Sequence, residues 1–305
     1  MEPPKVIVIA GPTASGKSAA AIKLAMMFNG EIVGADSMQV YRYMDIGTAK
    51  PSMEDRKLRT HHLMDIVAPD EDYTAGRYQR DASTAIKDIS SRGKTSFVVG
   101  GTGLYIMALT RGLFEGPGND HDIRHRLMSE AEEKGRGFLY ERLREVDPAS
   151  AERIHPNNIV RLIRALEVFE LTGQPISRFQ TAHGFKERVF EVIKLGIAKD
   201  REFLYDAIGK RVDDMIEGGF LGETKELLSR GYLSHLKPMQ GLGYKEMVAH
   251  IEGRLSLDEA VVLIKRNTRR YAKRQLTWFR KDREMLWFRH DDFDGMVRHI
   301  EEGLG

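Results

Sequence analysis

The chain of 305 residues contains no cysteine. Disulfide bonds, thiol catalysis and cysteine-based zinc sites are therefore excluded, and this composition fits a reducing cytoplasm. Long hydrophobic runs are missing as well, because the apolar stretch nearest the N-terminus covers only residues 6–10. A signal peptide needs a longer apolar region and a membrane span needs about 20 apolar residues. We therefore expect neither a secretion signal nor a membrane partner.

An excess of charge of one sign is also lacking. The net charge is only +2, while hydrophobic residues make up 41% and charged residues 30% of the chain. This total does not by itself indicate binding to nucleic acid. The composition is that of an ordinary globular protein, and the length is sufficient for one large domain or two smaller ones.

Short apolar segments rich in β-branched residues alternate with helical patterns along much of the chain. The predicted strands cover residues 6–10, 31–35, 61–67, 95–99, 189–197 and 285–288. Continuous apolar strands of this length are typical of a buried parallel sheet. Strands that alternate with helices predict such a sheet with helices on both faces.

A glycine-rich loop directly follows the first predicted strand and opens a helix. It consists of Gly11, Pro12, Thr13, Ala14, Ser15, Gly16, Lys17 and Ser18. The spacing of the glycines, Lys and Ser matches a P-loop, whose backbone N–H groups and helix N-terminus surround an anion. Lys17 would supply a full charge for the terminal phosphate and Ser18 a hydroxyl for Mg²⁺, the expected metal ion. This loop indicates a diphosphate or a triphosphate such as ATP, without selecting between them.

The alternation of strands and helices stops near residue 116, and residues 117–182 are predicted to be helical only. One helix in this stretch is well marked, because Ile159, Leu162 and Leu166 recur at helical spacing between a capping Asn158 and Gly173. We therefore predict an α/β fold class. A P-loop NTPase-like parallel sheet core would comprise residues 1–116 and 183–305, and an all-helical domain would be inserted at 117–182.

Polar residues follow two further predicted strands. Asp36 comes directly after residues 31–35, and Thr102 lies in a glycine-rich turn after residues 95–99. Functional loops of a parallel sheet lie at the carboxyl ends of its strands, so these residues are expected to share a crevice with the P-loop. Asp36 could bind Mg²⁺ or accept a proton, or it could simply cap the next helix. The turn at Thr102 could likewise be purely structural.

Positive charge is concentrated near the C-terminus, within residues 265–281. This stretch holds eight basic residues and no acid: Lys265, Arg266, Arg269, Arg270, Lys273, Arg274, Arg280 and Lys281. Aromatic residues are interleaved with them, which is typical of a helix that binds phosphate backbones. A solvated helix face with aromatics docked on the core is the alternative. Arg161 and Arg164 on the inserted helix have the same two interpretations, a second RNA contact or ordinary surface arginines.

Several segments together resemble one family. They are D-S-M-Q-V-Y at residues 36–41, M-D-I-G-T-A-K-P at 44–51, H-H-L-M-D at 61–65, Q-G-L-G-Y-K-E at 240–246 and T-R-R-Y-A-K-R-Q at 268–275. With the P-loop, these runs resemble the bacterial tRNA dimethylallyltransferases over nearly the whole chain. The run at 36–41 is specific to that family, whereas many kinases share the P-loop.

The resemblance implies dimethylallyl diphosphate as donor, Mg²⁺, and the anticodon stem-loop of tRNA as acceptor, modified at N6 of the adenosine 3′ of the anticodon. It implies that Asp36 is the general base and that Thr13, Lys17 and Arg211 contact the diphosphate. The implied tRNA contacts are Asp36, Ser37, Met38, Gln39, Thr102, Arg124, Val160, Arg161, Leu162, Ile163 and Arg164. Val160 departs from the family pattern, which often has Gln there, and Ala207 stands where Arg is frequent. We further expect a cytoplasmic monomer.

Three other functions compete with this hypothesis. An isopentenyltransferase for free adenine nucleotides would share the P-loop and Asp36 but would have less use for the basic residues and the 240–246 segment. A small-molecule kinase would share the P-loop alone. A non-catalytic RNA-binding module would have no use for a P-loop followed by Asp36.

Overall fold

The computed structural model describes residues 3–114, 116–184 and 189–305, without the side chain of Arg136. It divides into two compact units. One unit comprises Met1–Thr110 and Arg188–Gly305, and the other comprises Arg111–Glu187. The sequence placed the boundaries of the insertion at residues 117 and 182, a few residues inside the second unit. Among the residues that the structure describes, no helix is long and apolar enough to cross a bilayer.

A parallel sheet forms the centre of the first unit. Its strands are β1 (Lys5–Ala10), β2 (Gly30–Gly34), β3 (His61–His62), β4 (Thr95–Gly100), β5 (Glu191–Ala198) and β6 (Leu286–Arg289). They lie in the order β3-β2-β4-β1-β5-β6, and every pair is parallel. The predicted α/β fold class with a parallel sheet is therefore confirmed.

Both faces of the sheet are buried, as the continuous apolar strands predict. Successive residues of β1 point to opposite faces: Val6 and Val8 belong to one hydrophobic cluster, and Ile7 and Ile9 belong to another. All four side chains are fully buried. The central strand is thereby fixed between two layers, which places the loop that follows it on a rigid support.

The first four helices lie in the N-terminal part of the chain. They are α1 (Lys17–Met27), α2 (Met53–Leu58), α3 (Ala75–Ser91) and α4 (Gly103–Arg111). The P-loop joins β1 directly to α1, as predicted. Residues between β2 and α2 form a long connection that contains the 36–41 and 44–51 segments.

The second unit is helical in its described residues. Its helices are α5 (His121–Lys134), α6 (Arg136–Val146), α7 (Pro148–Ala151), α8 (Ile159–Thr172) and α9 (Ile176–His183). The prediction for α8 is confirmed at both ends. The Asn158 side chain accepts a hydrogen bond from Arg161 N at 3.4 Å, and Gly173 ends the helix with a φ of 67°. Leu162 and Leu166 pack in the core of this unit.

The C-terminal part of the chain completes the first unit. Its helices are α10 (Arg201–Glu217), α11 (Phe220–Ser229), α12 (Tyr244–Ile251), α13 (Leu257–Phe279) and α14 (Phe293–Leu304). The basic segment lies largely on α13, which begins with a capping box between Ser256 and Glu259. Because this helix has 23 residues, it extends about 35 Å.

One predicted strand was wrong in its length. The strand expected at residues 61–67 contains only His61–His62. Leu63 and Asp65 have φ angles of 62° and 54°, in the left-handed region that an extended strand cannot contain. The apolar pattern in this segment reflects packing of a loop against the core, as at Val67, which is fully buried.

Candidate active site

A pocket of about 260 Å³ lies in the first unit. Its lining includes residues that follow three neighbouring strands: Thr13 after β1, Asp36 after β2, and Gly100 at the end of β4. Carboxyl ends of parallel strands are where α/β folds build ligand sites. The structure thus brings the P-loop and Asp36 together, as the sequence predicted.

The P-loop has the backbone of an anion-binding turn. Ala14 and Gly16 have φ angles of 63° and 94°, which turn successive N–H groups towards one side. A side chain at Gly11 is excluded, because a Cβ atom there would lie 2.5 Å from the Ile197 carbonyl oxygen. Ser15 Oγ is buried and makes no hydrogen bond to the described residues.

Two partly buried cations face this loop. Lys17 donates a hydrogen bond to the Pro12 carbonyl at 3.3 Å and lines the pocket with Arg211 from α10. Burial, and then the positive charge of Arg211, lower the pKa of Lys17 to about 8, while the Asp36 carboxylate opposes the shift. Burial also lowers the pKa of Arg211. The pocket therefore contains more positive than negative charge, which favours a bound anion.

Asp36 lies at the edge of this positive region. Its Oδ1 accepts hydrogen bonds from Met38 N at 2.9 Å and Gln39 N at 3.4 Å, so the side chain does fix the turn that follows β2. Its Oδ2 accepts no hydrogen bond from the residues that the structure describes. The carboxylate can therefore hold the turn with one oxygen and serve as a proton acceptor with the other.

The residues after Asp36 are held by a polar network. The Thr102 hydroxyl accepts a hydrogen bond from Ser37 N at 3.0 Å and donates one to Ser37 Oγ at 3.3 Å. The Gln39 side chain donates to the carbonyls of Thr48 and Ala49 at 3.1 and 3.2 Å. The pocket is lined by Ser37, Met38 and Gln39. Thr102 does not line it and acts through its hydrogen bonds to Ser37.

Oxygen donors suitable for Mg²⁺ are present in the same pocket. Ser18 and Asp36 both line it. Among residues 3–114, 116–184 and 189–305, no group of three or more His, Asp or Glu could hold a metal alone. Mg²⁺ typically binds one or two protein oxygens together with substrate phosphates and water. The residues therefore fit a magnesium ion that is held partly by a phosphate ligand.

Two pocket residues on α13 were missed by the sequence analysis. Gln275 bridges the P-loop and β4: its Oε1 accepts from Thr13 N at 2.9 Å, and its Nε2 donates to the Gly101 carbonyl at 2.9 Å. Tyr271 also lines the pocket, and burial followed by the Asp36 charge raises its pKa. The available signal was the uncharged stripe Thr268, Tyr271 and Gln275, spaced three and four residues apart within the basic run.

The basic residues of α13 lie on other faces of the same helix. Arg266, Arg269, Arg270, Lys273 and Arg274 are exposed. Lys265 is paired with Asp213 at 2.6 Å, and the guanidinium of Arg269 lies 5.5 Å from the centre of the Tyr205 ring. This helix therefore combines a pocket face with an exposed cationic face. Both sequence interpretations include the cationic face, and neither includes the pocket face.

The predicted RNA contacts of the second unit differ in exposure. Val160 is 71% exposed at the start of α8. Arg124 and Arg164 are both bonded to the fully buried carboxylate of Glu167, at 2.7 and 2.6 Å.

The side chains of Leu162 and Ile163 are 0% and 5% exposed. Both side chains pack inside the unit, so the predicted contact of residues 160–164 with RNA remains for their backbone and for the exposed Val160 and Arg161.

Comparison with known proteins gives a consistent result. The family model described as IPP transferase matches residues 39–282. A tRNA dimethylallyltransferase of Geobacter metallireducens is 54% identical over 300 residues, covering 98% of this chain and 97% of the relative. One of Geobacter sulfurreducens is 52% identical and covers 96% of this chain and 94% of the relative.

Solved structures agree with these sequence matches. The tRNA isopentenylpyrophosphate transferase of Bacillus halodurans has a TM-score of 0.72 and 40% identity, with 98% of each chain covered. A eukaryotic dimethylallyltransferase acting on tRNA has a TM-score of 0.81 and 30% identity, covering 98% of this chain and 77% of the other. This chain therefore belongs to the IPP transferase family, together with the tRNA dimethylallyltransferases.

Proposed function

We propose that this chain transfers a dimethylallyl group from dimethylallyl diphosphate to N6 of the adenosine 3′ of the anticodon in tRNA, releasing diphosphate. The observation that carries the proposal is one pocket in which the P-loop, two partly buried cations and the Asp36 carboxylate meet. The first three features suit a diphosphate, and the carboxylate suits an amine nucleophile. The names and near-complete coverage of the relatives agree with this chemistry.

The diphosphate of the donor would be bound by the P-loop, Thr13, Lys17 and Arg211. Burial, and then repulsion by Arg211, lower the pKa of Lys17 to about 8. The repulsion is relieved when an anion binds between the two cations. The same charges stabilise the leaving diphosphate as the bond to carbon breaks, which makes the allylic carbon more electrophilic.

Magnesium would be held by Ser18 together with oxygens of the bound diphosphate and water. Its contribution when bound is to neutralise charge on the leaving diphosphate.

The acceptor nitrogen needs a base, because its lone pair is delocalised into the adenine ring. In the proposed step, N6 forms a bond to the allylic carbon, the carbon–oxygen bond breaks, and the N6 proton passes to Asp36 Oδ2. General-base catalysis of this kind contributes about 10²–10⁴-fold. Attack occurs at carbon, so the diphosphate leaves intact, in contrast to a kinase reaction.

The adenosine must leave its base stack to reach the pocket. An anticodon loop makes this easier than a duplex would, since its bases are unpaired. The turn containing Ser37, Met38 and Gln39 lines the pocket and would contact the extruded nucleotide. The exposed cations of α13, and Val160 with Arg161 in the second unit, would contact other parts of the tRNA.

We further propose that the enzyme acts as a monomer in the cytoplasm, where its tRNA substrate is found. One chain contains every residue assigned to the reaction, so the proposed step needs no second copy.

One assay tests the function against its alternatives. Purified protein is incubated with dimethylallyl diphosphate or ATP, each with tRNA or AMP, and nucleosides are identified by mass spectrometry after digestion. The proposal expects a prenylated adenosine only from dimethylallyl diphosphate with tRNA. Product from AMP would favour a free-nucleotide isopentenyltransferase, and phosphoryl transfer from ATP would favour a kinase.

A further inference from the structure

One wall of the pocket is apolar. It is lined by Val212, Met215, Phe220, Leu242 and Ile264. Most of these side chains are buried, and Phe220 at the start of α11 is 1% exposed. Under the proposed function, the diphosphate occupies the polar end and the hydrocarbon of the donor needs an apolar environment. These five side chains provide an apolar environment for that hydrocarbon.

Phe220 is fixed in place from behind. Its ring meets the Tyr244 ring edge to face, with centroids 4.9 Å apart and an interplanar angle of 90°. Tyr244 is fully buried, and its hydroxyl donates a hydrogen bond to Glu223 Oε1 at 2.7 Å. An aromatic ring packed in this manner cannot rotate away without breaking the contacts of its neighbour.

Two glycines allow the ring to occupy this position. A Cβ atom at Gly47 would lie 2.1 Å from Phe220 Cε2, and one at Gly243 would lie 3.1 Å from the ring. Gly243 also has a φ of 93°, which other residues rarely adopt. These glycines belong to the M-D-I-G-T-A-K-P and Q-G-L-G-Y-K-E segments, so both segments contribute backbone to the surroundings of one ring.

Glu223 connects the two segments to each other. Its carboxylate accepts hydrogen bonds from Asp45 N and Ile46 N, both at 2.7 Å, and from Gly47 N at 3.0 Å. Because the same carboxylate accepts from Tyr244, the turn around Gly47 and the ring behind Phe220 are held by one group. Such a network makes this end of the pocket rigid.

We infer that Phe220 closes the apolar end of the pocket and restricts the donor to a five-carbon prenyl chain. The inference rests on the proposed function. An open apolar pocket would favour longer prenyl chains, because every additional buried methylene stabilises binding. Selection of a short chain therefore requires a rigid side chain at the end of the pocket. Phe220 is rigid because it packs against Tyr244, which is bonded to Glu223.

The test replaces Phe220 and compares two donors. Phe220→Leu and Phe220→Ala are assayed with tRNA and either dimethylallyl or geranyl diphosphate. The ratio of kcat/KM for geranyl to that for dimethylallyl diphosphate should rise by about tenfold or more, and further for Ala than for Leu. Competition binding of both donors without tRNA should shift in the same direction, which separates donor fit from tRNA effects.

Phe190→Leu is the matched control. Phe190 is 3% exposed and packs in the same hydrophobic cluster, but it does not line the pocket. This variant should lose comparable stability and keep the donor ratio of the parent. A rise of the ratio in Phe190→Leu as well would overturn the inference, because general loosening would then explain it.

Other outcomes are also decisive. If the parent protein transfers dimethylallyl to tRNA but a folded Phe220→Leu variant keeps the parental ratio, the inference fails and the proposed function stands. Efficient transfer of geranyl by the parent would likewise refute the inference alone. Absence of dimethylallyl transfer by the parent would refute the proposed function itself. Phe220→Leu removes less of the ring volume than Phe220→Ala, so it decides the test if the alanine variant fails to fold.

Discussion

Replacement of Gln275 by Met tests whether the bridge between the P-loop and β4 organises the site. Methionine has a similar length and shape but forms no comparable hydrogen bonds. The substitution leaves Thr13 N and the Gly101 carbonyl without the partners that now lie at 2.9 Å each. Gln275 itself is 6% exposed, so the site offers little room for replacement by water.

The size of the effect follows from these two bonds. A buried polar group that loses its partner costs about 1–3 kcal/mol. For two groups the combined cost is about 2–6 kcal/mol. Thr13 lines the pocket, where water can reach its N–H group, so the lower half of this range applies. We expect the free energy of unfolding to fall by roughly 2–4 kcal/mol. Donor affinity should fall by about tenfold, equivalent to about 1.4 kcal/mol, because Thr13 N belongs to the phosphate-binding loop.

The assays are urea unfolding and equilibrium binding of dimethylallyl diphosphate. Thr277→Ala is the control on the same helix: its exposed hydroxyl only donates to the Lys273 carbonyl at 3.0 Å. This control should stay within about 0.5 kcal/mol of the parent. A Gln275→Met variant with parental stability and parental donor affinity would refute the role of the bridge.

Three further predictions concern the donor, the basic helix and the stability of the sheet. Dimethylallyl diphosphate with Mg²⁺ should raise the melting temperature, and ATP alone should not be hydrolysed; steady phosphate release from ATP would favour a kinase. Replacing the exposed Arg270 and Lys273 by Ala should weaken tRNA binding and reduce the slope of log affinity against log salt by about one unit per residue or less, with donor binding unchanged. An unchanged slope in a stably folded variant would exclude this face from the RNA interface. Glu31 is 3% exposed and bonded to Arg92 and Lys94, chiefly Arg92, which holds its pKa well below the usual range. A depressed carboxylate pKa stabilises the fold above the ordinary value of 4.5 and loses that effect as pH falls below it, so Glu31→Gln should destabilise the protein by about 3 kcal/mol or more at pH 7 and much less in acid. Equal stability of this variant and the parent at pH 7 would contradict that reasoning.

Local patterns were sufficient to predict most of the fold. The P-loop, its strand and its helix were predictable because strand burial, glycine spacing and helical periodicity are all encoded within a few neighbouring residues. The same holds for α8, whose Asn158 cap and Gly173 stop occur where the sequence placed them. The third strand was overestimated because hydrophobicity does not distinguish a buried strand from a buried loop.

The sequence patterns did not predict contacts between residues that are far apart in the chain. Gln275 bonds to Thr13, which is far away in the chain, so nothing local to either residue reveals the bridge. Similarly, the resemblance implied that Arg124 contacts tRNA, and nothing near it in the chain reveals its ion pair with the buried Glu167. For Asp36 the structure shows the structural alternative, because Oδ1 holds the turn after β2; its role as a base stays a prediction.

The central claim is that Asp36 removes the N6 proton of adenine bound beside the P-loop. The most direct test is the single-turnover rate of Asp36→Asn with saturating tRNA and dimethylallyl diphosphate. Asparagine keeps an oxygen that can accept from Met38 N and Gln39 N, so the turn is preserved while the base is lost. The rate should fall by about 10²–10⁴-fold with tRNA affinity nearly unchanged. A rate within a few-fold of the parent would show that Asp36 is not the base.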